Sequence, residues 1–129
     1  LSYSNSKNIF KDFNIDGNDL TDLSIPGIPD QILDIELIFN LSKRQSIAIN
    51  NRLIGELYAD NLNETQTSSY NLLGLTYSKK IFKNSQIYLG VNNLLDVNYY
   101  DNIRINAFGK RYFEPAPKRN FHFGINFSF

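Results

Sequence analysis

The sequence has 129 residues with 13 basic and 13 acidic side chains, so its formal net charge is zero. This length fits one domain, and the balanced charge gives no reason to expect binding to nucleic acid. Cysteine is absent, which excludes a disulfide scaffold and thiolate metal sites. No stretch of about eighteen apolar residues occurs, so no transmembrane helix is predicted, and residues 1–10 lack the pattern of a signal peptide.

Apolar residues recur at every second position along most of the chain, which is the period of a β-strand. Residues 1–10 are predicted to form the first strand. A long loop follows over residues 11–30, because glycines and prolines interrupt the pattern there. The next strand, 31–42, places one set of apolar side chains on one face and polar side chains on the other, with Ile38 as the exception. The apolar set is Leu33, Ile35, Leu37, Phe39 and Leu41; the polar set is Asp34, Glu36, Asn40 and Ser42.

The same alternation continues to the end of the chain. A turn at Lys43 and Arg44 leads into a predicted strand over 45–58, with Ile47, Ile49, Leu53 and Leu57 on one face. Two more strands are predicted over 70–78 and 85–100, and a long loop over 101–118 precedes the terminal strand 120–129. We therefore predict a single all-β domain over residues 1–129, an antiparallel meander of about six strands with short connections at one end and long ones at the other.

Alternation alone does not identify the wet face of the sheet. A soluble lipid-binding barrel turns its apolar face inward, whereas an outer-membrane barrel turns it toward lipid. The asymmetry in loop length favours the membrane arrangement, because outer-membrane barrels have short periplasmic turns and long external loops. Aromatic residues near predicted strand ends favour it too, as an interfacial girdle. These are Tyr58, Tyr70, Tyr99, Tyr100, Tyr112 and Phe113.

The last third of the chain resembles a known family. The segments "LGVNNLLDVNYYD" and "GKRYFEPAPKRNFHFGINFSF" are similar to the end of a TonB-dependent outer-membrane receptor, and "IPGIPDQ" and "YNLLGLTYS" extend a weaker match upstream. The resemblance implies a large barrel of about twenty-two strands plugged by an N-terminal domain. Such receptors import siderophores, haem, cobalamin or oligomers with energy delivered by TonB.

The sequence contains no plug domain and no TonB box, so the resemblance places it in the C-terminal part of such a barrel. About six transmembrane strands do not close a membrane barrel, and transport by this chain alone is not expected. The expected partners are outer-membrane lipid, the rest of the barrel and its plug, and TonB through the missing part. Two alternatives stay open: a small stand-alone outer-membrane barrel of structural or adhesive type, and a soluble lipid-binding barrel.

The resemblance also assigns candidate functional residues. The terminal strand is the implied signal for the barrel-assembly machinery, through Phe121, Phe123, Ile125, Phe127 and Phe129. In the loop before it, cations and tyrosines are candidates for contact with an anionic iron chelate, the alternative being a solvated loop anchored by girdle tyrosines. These candidates are Tyr99, Tyr100, Arg104, Lys110, Arg111 and Tyr112. Asn93 and Asp96 are predicted to bond the backbone where a strand ends at the outer rim.

Catalysis and cofactor binding have no support in the sequence. There is no cysteine nucleophile, and the single histidine, His122, has no serine or carboxylate partner that the sequence can assign. His122 is therefore interpreted as a polar side chain that faces the barrel lumen, not as a metal ligand. The aspartates after residue 15 are spaced like a calcium loop, but Gly27 stands where the twelfth position requires glutamate. We predict no enzyme activity, no metal site and no cofactor.

Overall fold

The computed structural model describes residues 1–128; Phe129, the last residue of the predicted terminal strand, lies outside the described residues. The described part contains β-strands and a single short 3₁₀ helix, Phe108–Lys110, and it contains no helix with the length and apolarity needed to cross a membrane. The strands are β1 Ser2–Asn5, β2 Asn14–Ile15, β3 Asn18–Asp19, β4 Gln31–Ser42, β5 Gln45–Ile54, β6 Leu57–Tyr58, β7 Gln66–Thr67, β8 Tyr70–Phe82, β9 Ser85–Asn92, β10 Tyr100–Ile103, β11 Phe113–Pro115 and β12 Asn120–Phe127.

Six of these strands form one antiparallel sheet in the order β1-β4-β5-β8-β9-β12, which confirms the predicted meander. The β4–β5 and β8–β9 connections are tight, because Ser42 pairs with Gln45 and Phe82 with Ser85. The other connections, residues 6–30, 55–69 and 93–119, all lie at the opposite end of the sheet. The predicted asymmetry between a short-turn end and a long-loop end is therefore confirmed.

The strand register places odd-numbered residues of all the long strands on one face. Leu37 pairs with Ile49, and Ile49 pairs with Leu75. Leu75 pairs in turn with Val91, and Val91 with Phe121. Because directly paired residues of an antiparallel sheet point to the same side, a row of apolar side chains crosses the sheet at this level. We call this the apolar face. Nearer the loop end the same face also carries Asn51 and Asn71, whose side chains hydrogen-bond each other at 2.7 Å.

The even-numbered residues form the polar face. Here Asp34 pairs with Arg52, and their side chains form an ion pair at 3.4 Å between Nε and Oδ1. Ile38, the predicted exception, lies on this face at 59% exposure. Tyr88 lies over Gly124, and an added Cβ at Gly124 would collide with the Tyr88 ring. Glycine at this position thus lets an aromatic side chain lie flat across the neighbouring strand.

The apolar face has no protein partner in the described part of the chain. Leu37, Phe39, Phe123 and Phe127 are 49%, 51%, 63% and 66% exposed. Most of the fully buried apolar residues lie in the loops instead, including Leu20, Ala59 and Tyr112. Exposed apolar surface of this extent marks a site of contact with another protein or with lipid. The strands β4, β5 and β8 contain 12, 10 and 13 residues, long enough for tilted strands to cross a bilayer.

Four of the predicted strands have other bounds in the structure: β8 continues to Phe82, past the predicted end at residue 78, and three other strands are shorter than predicted. β1 covers Ser2–Asn5 and not residues 1–10, β5 ends at Ile54 and not at residue 58, and β9 ends at Asn92 and not at residue 100. β5 ends at Ile54, and the next residue, Gly55, lies so close to Asp30 and Gln31 that no side chain would fit there. β9 ends because Asn93 has a positive φ of 50°, outside the β region. Leu57 therefore belongs to β6, which pairs with β7 away from the main sheet.

The register generates a first prediction, on the orientation of β4. In the intact barrel, Leu37→Arg should destabilise folding by about 2 to 4 kcal/mol, because it puts a charge at the lipid-facing side near the bilayer midplane. Glu36→Arg is the matched control, since Glu36 lies one position away on the polar face. Folding titrations into lipid vesicles measure both. If Leu37→Arg is tolerated as well as Glu36→Arg, the assigned orientation of β4 is wrong.

Candidate ligand-binding site at the loop end

The three long connections pack together as one layer over the loop end of the sheet. We call residues 6–30, 55–69 and 93–119 the loop layer. The Gly27 amide donates to the Tyr58 carbonyl at 2.8 Å, and the Asn106 amide donates to the Ala59 carbonyl at 3.0 Å. The first, second and third connections are thus joined by main-chain hydrogen bonds. Three small hairpins stiffen the layer: β2–β3, β6–β7 and β10–β11.

Asparagine and aspartate side chains hold the layer at fixed points. The Asn63 side-chain amide forms two hydrogen bonds with the Ser24 backbone. It accepts from the Ser24 N–H at 2.8 Å and donates to the Ser24 carbonyl at 2.9 Å. The buried Asp60 carboxylate accepts from the amides of Glu64 and Thr65, both at 2.9 Å. Asn106 accepts from the Asn61 amide at 2.9 Å. Short polar side chains can replace secondary structure as partners of the backbone, so these loops hold a defined shape.

The predicted role of Asn93 and Asp96 at the rim is confirmed. Asn93 is 5% exposed, donates to the Val97 carbonyl at 2.9 Å and accepts from the Val97 amide at 3.0 Å. Asp96 accepts from the Arg119 amide at 3.0 Å, which connects the end of β9 to the start of β12. Both residues have positive φ, 50° and 55°, a conformation that asparagine and aspartate tolerate better than most residues.

The six candidate ligand residues all belong to the β10–β11 hairpin and its flanks, where the Arg104 amide donates to the Tyr112 carbonyl at 2.8 Å, but their side chains make different contacts. The Tyr99 ring packs against Tyr70 at 5.2 Å between centroids, and the Tyr100 ring stacks on Phe113 at 4.5 Å. Tyr112 is buried and meets Phe113 edge-on. Tyr100 and Tyr112 therefore pack within the β10–β11 hairpin, and Tyr99 packs this hairpin against β8.

Among the candidate cations, Arg104 differs from the other two. Its guanidinium forms an ion pair and a hydrogen bond with the Glu114 carboxylate, across the β10–β11 hairpin. Hydrogen bonds from Asn102 and Arg104, with the charge of Arg104, hold the pKa of Glu114 below its ordinary value. Lys110 and Arg111 are exposed at the 3₁₀ helix. They are the candidate cations that a ligand could reach without breaking an existing contact.

A cavity of about 380 Å³ lies where the loop layer meets the polar face. Arg52, Ile54 and Tyr70 line it from the sheet, and Tyr100 and Asp101 line it from β10. Tyr100 is thus the one predicted ligand residue that lines this cavity. Sequence reasoning missed Arg52 and Tyr70 as site residues, although their even positions in predicted strands already placed them on the polar face.

His122 lies on the polar face beside Gly90 and 6.1 Å from the Tyr88 ring, measured between centroids. Its Nδ1 atom is buried without a hydrogen-bond partner among residues 1–128. No group of three metal-ligating side chains was found within that described part.

The Asn93 contacts generate a second prediction. Asn93→Ala should destabilise the folded protein by about 2 to 3 kcal/mol, because it leaves the part-buried amide and carbonyl of Val97 without partners and strains a position with positive φ. The neighbouring Asn92 is exposed and bonds the Asn120 side chain, so Asn92→Ala should change stability by less than about 1 kcal/mol. Urea unfolding in detergent measures both, and equal effects would contradict the buried role of Asn93.

No family model matches the sequence. Solved structures are similar to it. The ferric-catecholate import receptor Fiu from Escherichia coli K12, in its closed form, aligns with a TM-score of 0.79 at 20% identity, covering 98% of this chain and 18% of that one. The siderophore receptor PiuA from Acinetobacter baumannii aligns with a TM-score of 0.75 at 19% identity, covering 89% of this chain and 16% of that one.

A mutant of the ferric enterobactin receptor PfeA from Pseudomonas aeruginosa aligns with a TM-score of 0.63 at 22% identity, covering 79% of this chain and 16% of that one. The chain thus spans 16 to 18% of the length of these receptors. The similarity extends over most of this chain and agrees with the antiparallel meander and its two faces. The chain has the fold of a segment of the β-barrel of a TonB-dependent siderophore receptor.

Proposed function

We propose that this chain is part of an outer-membrane receptor for TonB-dependent uptake of a siderophore or a similar nutrient complex. The observation that carries the proposal is the register of the main sheet, which collects apolar side chains on one face and polar side chains on the other. In lipid this arrangement exposes the apolar face to acyl chains and keeps the polar face in a wet lumen. Similarity to receptors that are named for ferric catecholates and siderophores supports the ligand class.

Residues 1–129 form the C-terminal segment of the barrel in this proposal. β1 and β12 are the edges of the six-stranded sheet, and each has a neighbour on one side only. An unpaired edge in lipid costs several kcal/mol per backbone group, so other strands of the receptor must complete the barrel. The plug and the contact with TonB would also come from the rest of the receptor. The proposed role is therefore binding and barrel formation, not transport by the segment alone and not catalysis.

The ligand would meet the loop layer from outside the cell. Lys110 and Arg111 offer exposed positive charge, and Tyr100 offers aromatic surface at the mouth of the cavity below. Arg104, Tyr99 and Tyr112 would act by holding the shape of this loop. Exposed cations beside aromatic rings can bind an anionic iron chelate, because the cations attract its negative charge and the rings contact its organic groups.

A third prediction tests this ligand site. Lys110→Gln with Arg111→Gln should weaken binding of a synthetic ferric tris-catecholate by several-fold at low salt, and added salt should shrink the difference. Lys11→Gln with Lys118→Gln removes the same charge from other exposed loop positions and serves as the control. Quenching of tyrosine fluorescence in the refolded protein measures binding. Unchanged affinity in the first variant, or an equal loss in both, would contradict the proposed site.

A fourth prediction concerns assembly. Phe121, Phe123, Ile125 and Phe127 lie on the apolar face of the edge strand β12, and Phe129 continues this pattern in the sequence. An edge strand offers backbone hydrogen bonds and alternate side-chain contacts to the barrel-assembly machinery. Deletion of Phe129 from the complete receptor should lower insertion in cells and leave refolding of purified protein in detergent largely unchanged.

Two outcomes would contradict the assembly signal. Normal insertion in cells would show that Phe129 is only the end of a strand. Equal failure in cells and in detergent would assign its role to packing and barrel closure. Heat-modifiable migration on gels measures the folded fraction in both settings.

A further inference from the structure

Charge is distributed unequally between the two ends of the sheet, although the chain is neutral overall. No Asp or Glu occurs in the segments 37–55, 65–95 or 115–129. These segments contain both tight turns and the strand halves that lead into them. Five exposed cations lie at this short-turn end: Lys43, Arg44, Lys79, Lys80 and Lys83. We call them the basic rim.

The two turns are neighbours, so the five cations form one patch. The Lys80 amide donates to the Arg44 carbonyl at 2.8 Å, which joins the β4–β5 turn to β8. An open cavity of about 610 Å³ is lined by Lys43, Arg44, Lys79 and Lys80. The ion pairs found in the described residues are Arg52 with Asp34 and Arg104 with Glu114, so the basic rim has no acidic side-chain partner within residues 1–128. Its positive charge is available to an external anion.

The basic rim borders the apolar face. Lys79 pairs with Gln45 and with Ile87, which puts it in the odd-numbered set that forms the apolar face. Leu41, Phe82 and Phe127 at the same end of the sheet are 57%, 74% and 66% exposed. A lysine at the end of an apolar band can lay its alkyl stem along that band and extend its ammonium to the interface. Apolar surface followed by positive charge matches the order of acyl chain and phosphate in a phospholipid.

We propose that the basic rim binds the phosphate groups of anionic phospholipids in the leaflet that surrounds the short-turn end. The exposed apolar residues contact the acyl chains, and the five cations attract the headgroups by charge, as clusters of Lys and Arg do at anionic membrane surfaces. This inference goes beyond uptake of a siderophore, because it concerns the opposite end of the sheet and needs no ligand in the loop layer.

The test compares lipids that stay bound to the complete receptor, in which other strands close the barrel, after refolding in a zwitterionic detergent. Native mass spectrometry counts retained phosphatidylglycerol against phosphatidylcholine with the same acyl chains. The wild type should retain phosphatidylglycerol preferentially. Replacement of Lys79, Lys80 and Lys83 by Gln should weaken that retention by about fivefold per removed charge at low salt. Replacement of the same three lysines by Arg should preserve it.

The control removes equal charge from the long-loop end, through Gln at the exposed Lys7, Lys11 and Lys118, and should leave retention unchanged. Circular dichroism checks that each variant is folded, and the Arg variant keeps the test valid if the Gln variant does not fold. An equal loss of phosphatidylglycerol retention in the control variant would show that retention depends only on net charge, and it would overturn the proposal. Equal retention of both lipids by the wild type, or displacement of the lipid by inorganic phosphate at matched ionic strength, would also overturn it.

Discussion

The register of the main sheet is the constraint on which the rest of the structure depends. Because side chains alternate with a period of two, a slip of one residue between any two strands would move a whole strand's apolar set to the polar face. The pairing of Leu37, Ile49, Leu75, Val91 and Phe121 in one row shows that this does not happen across five strands. The result is a sheet with one mainly apolar face and one mainly polar face.

A sheet of this kind gains little from a conventional core, and the burial pattern agrees. The buried apolar residues Leu20, Ala59 and Tyr112 belong to the loop layer and not to the sheet. Polar contacts complete this layer: Asp60, Asn63 and Asn93 satisfy backbone groups that have no strand partner. Rigidity at the loop end therefore comes from side-chain to backbone hydrogen bonds, and a binding surface built on such loops can keep its shape without a ligand.

The two ends of the sheet differ in charge as well as in loop length. Acidic side chains are confined to the loop layer and the half of the sheet nearest to it, with Glu36 at mid-strand closest to the tight turns. The cations Arg104 and Arg52 are partly neutralised there by Glu114 and Asp34. At the short-turn end the cations have no such partners within residues 1–128. The chain thus has positive charge at the short-turn end and its acidic residues toward the loop end. The net charge of zero does not reveal this distribution.

The sequence by itself determined the fold class and the six-stranded meander. It also determined which residues share each face and that Asn93 and Asp96 bond the backbone at the rim. Each follows from local rules: side-chain period, turn chemistry and the tolerance of asparagine for positive φ. Tertiary structure alone decided where the strands end, since β5 stops where Gly55 approaches Asp30, a residue distant in sequence. It also decided which candidate site residues are accessible, because ring stacking of Tyr99 and Tyr100 and the pairing of Arg104 with Glu114 depend on contacts between segments that no local pattern specifies.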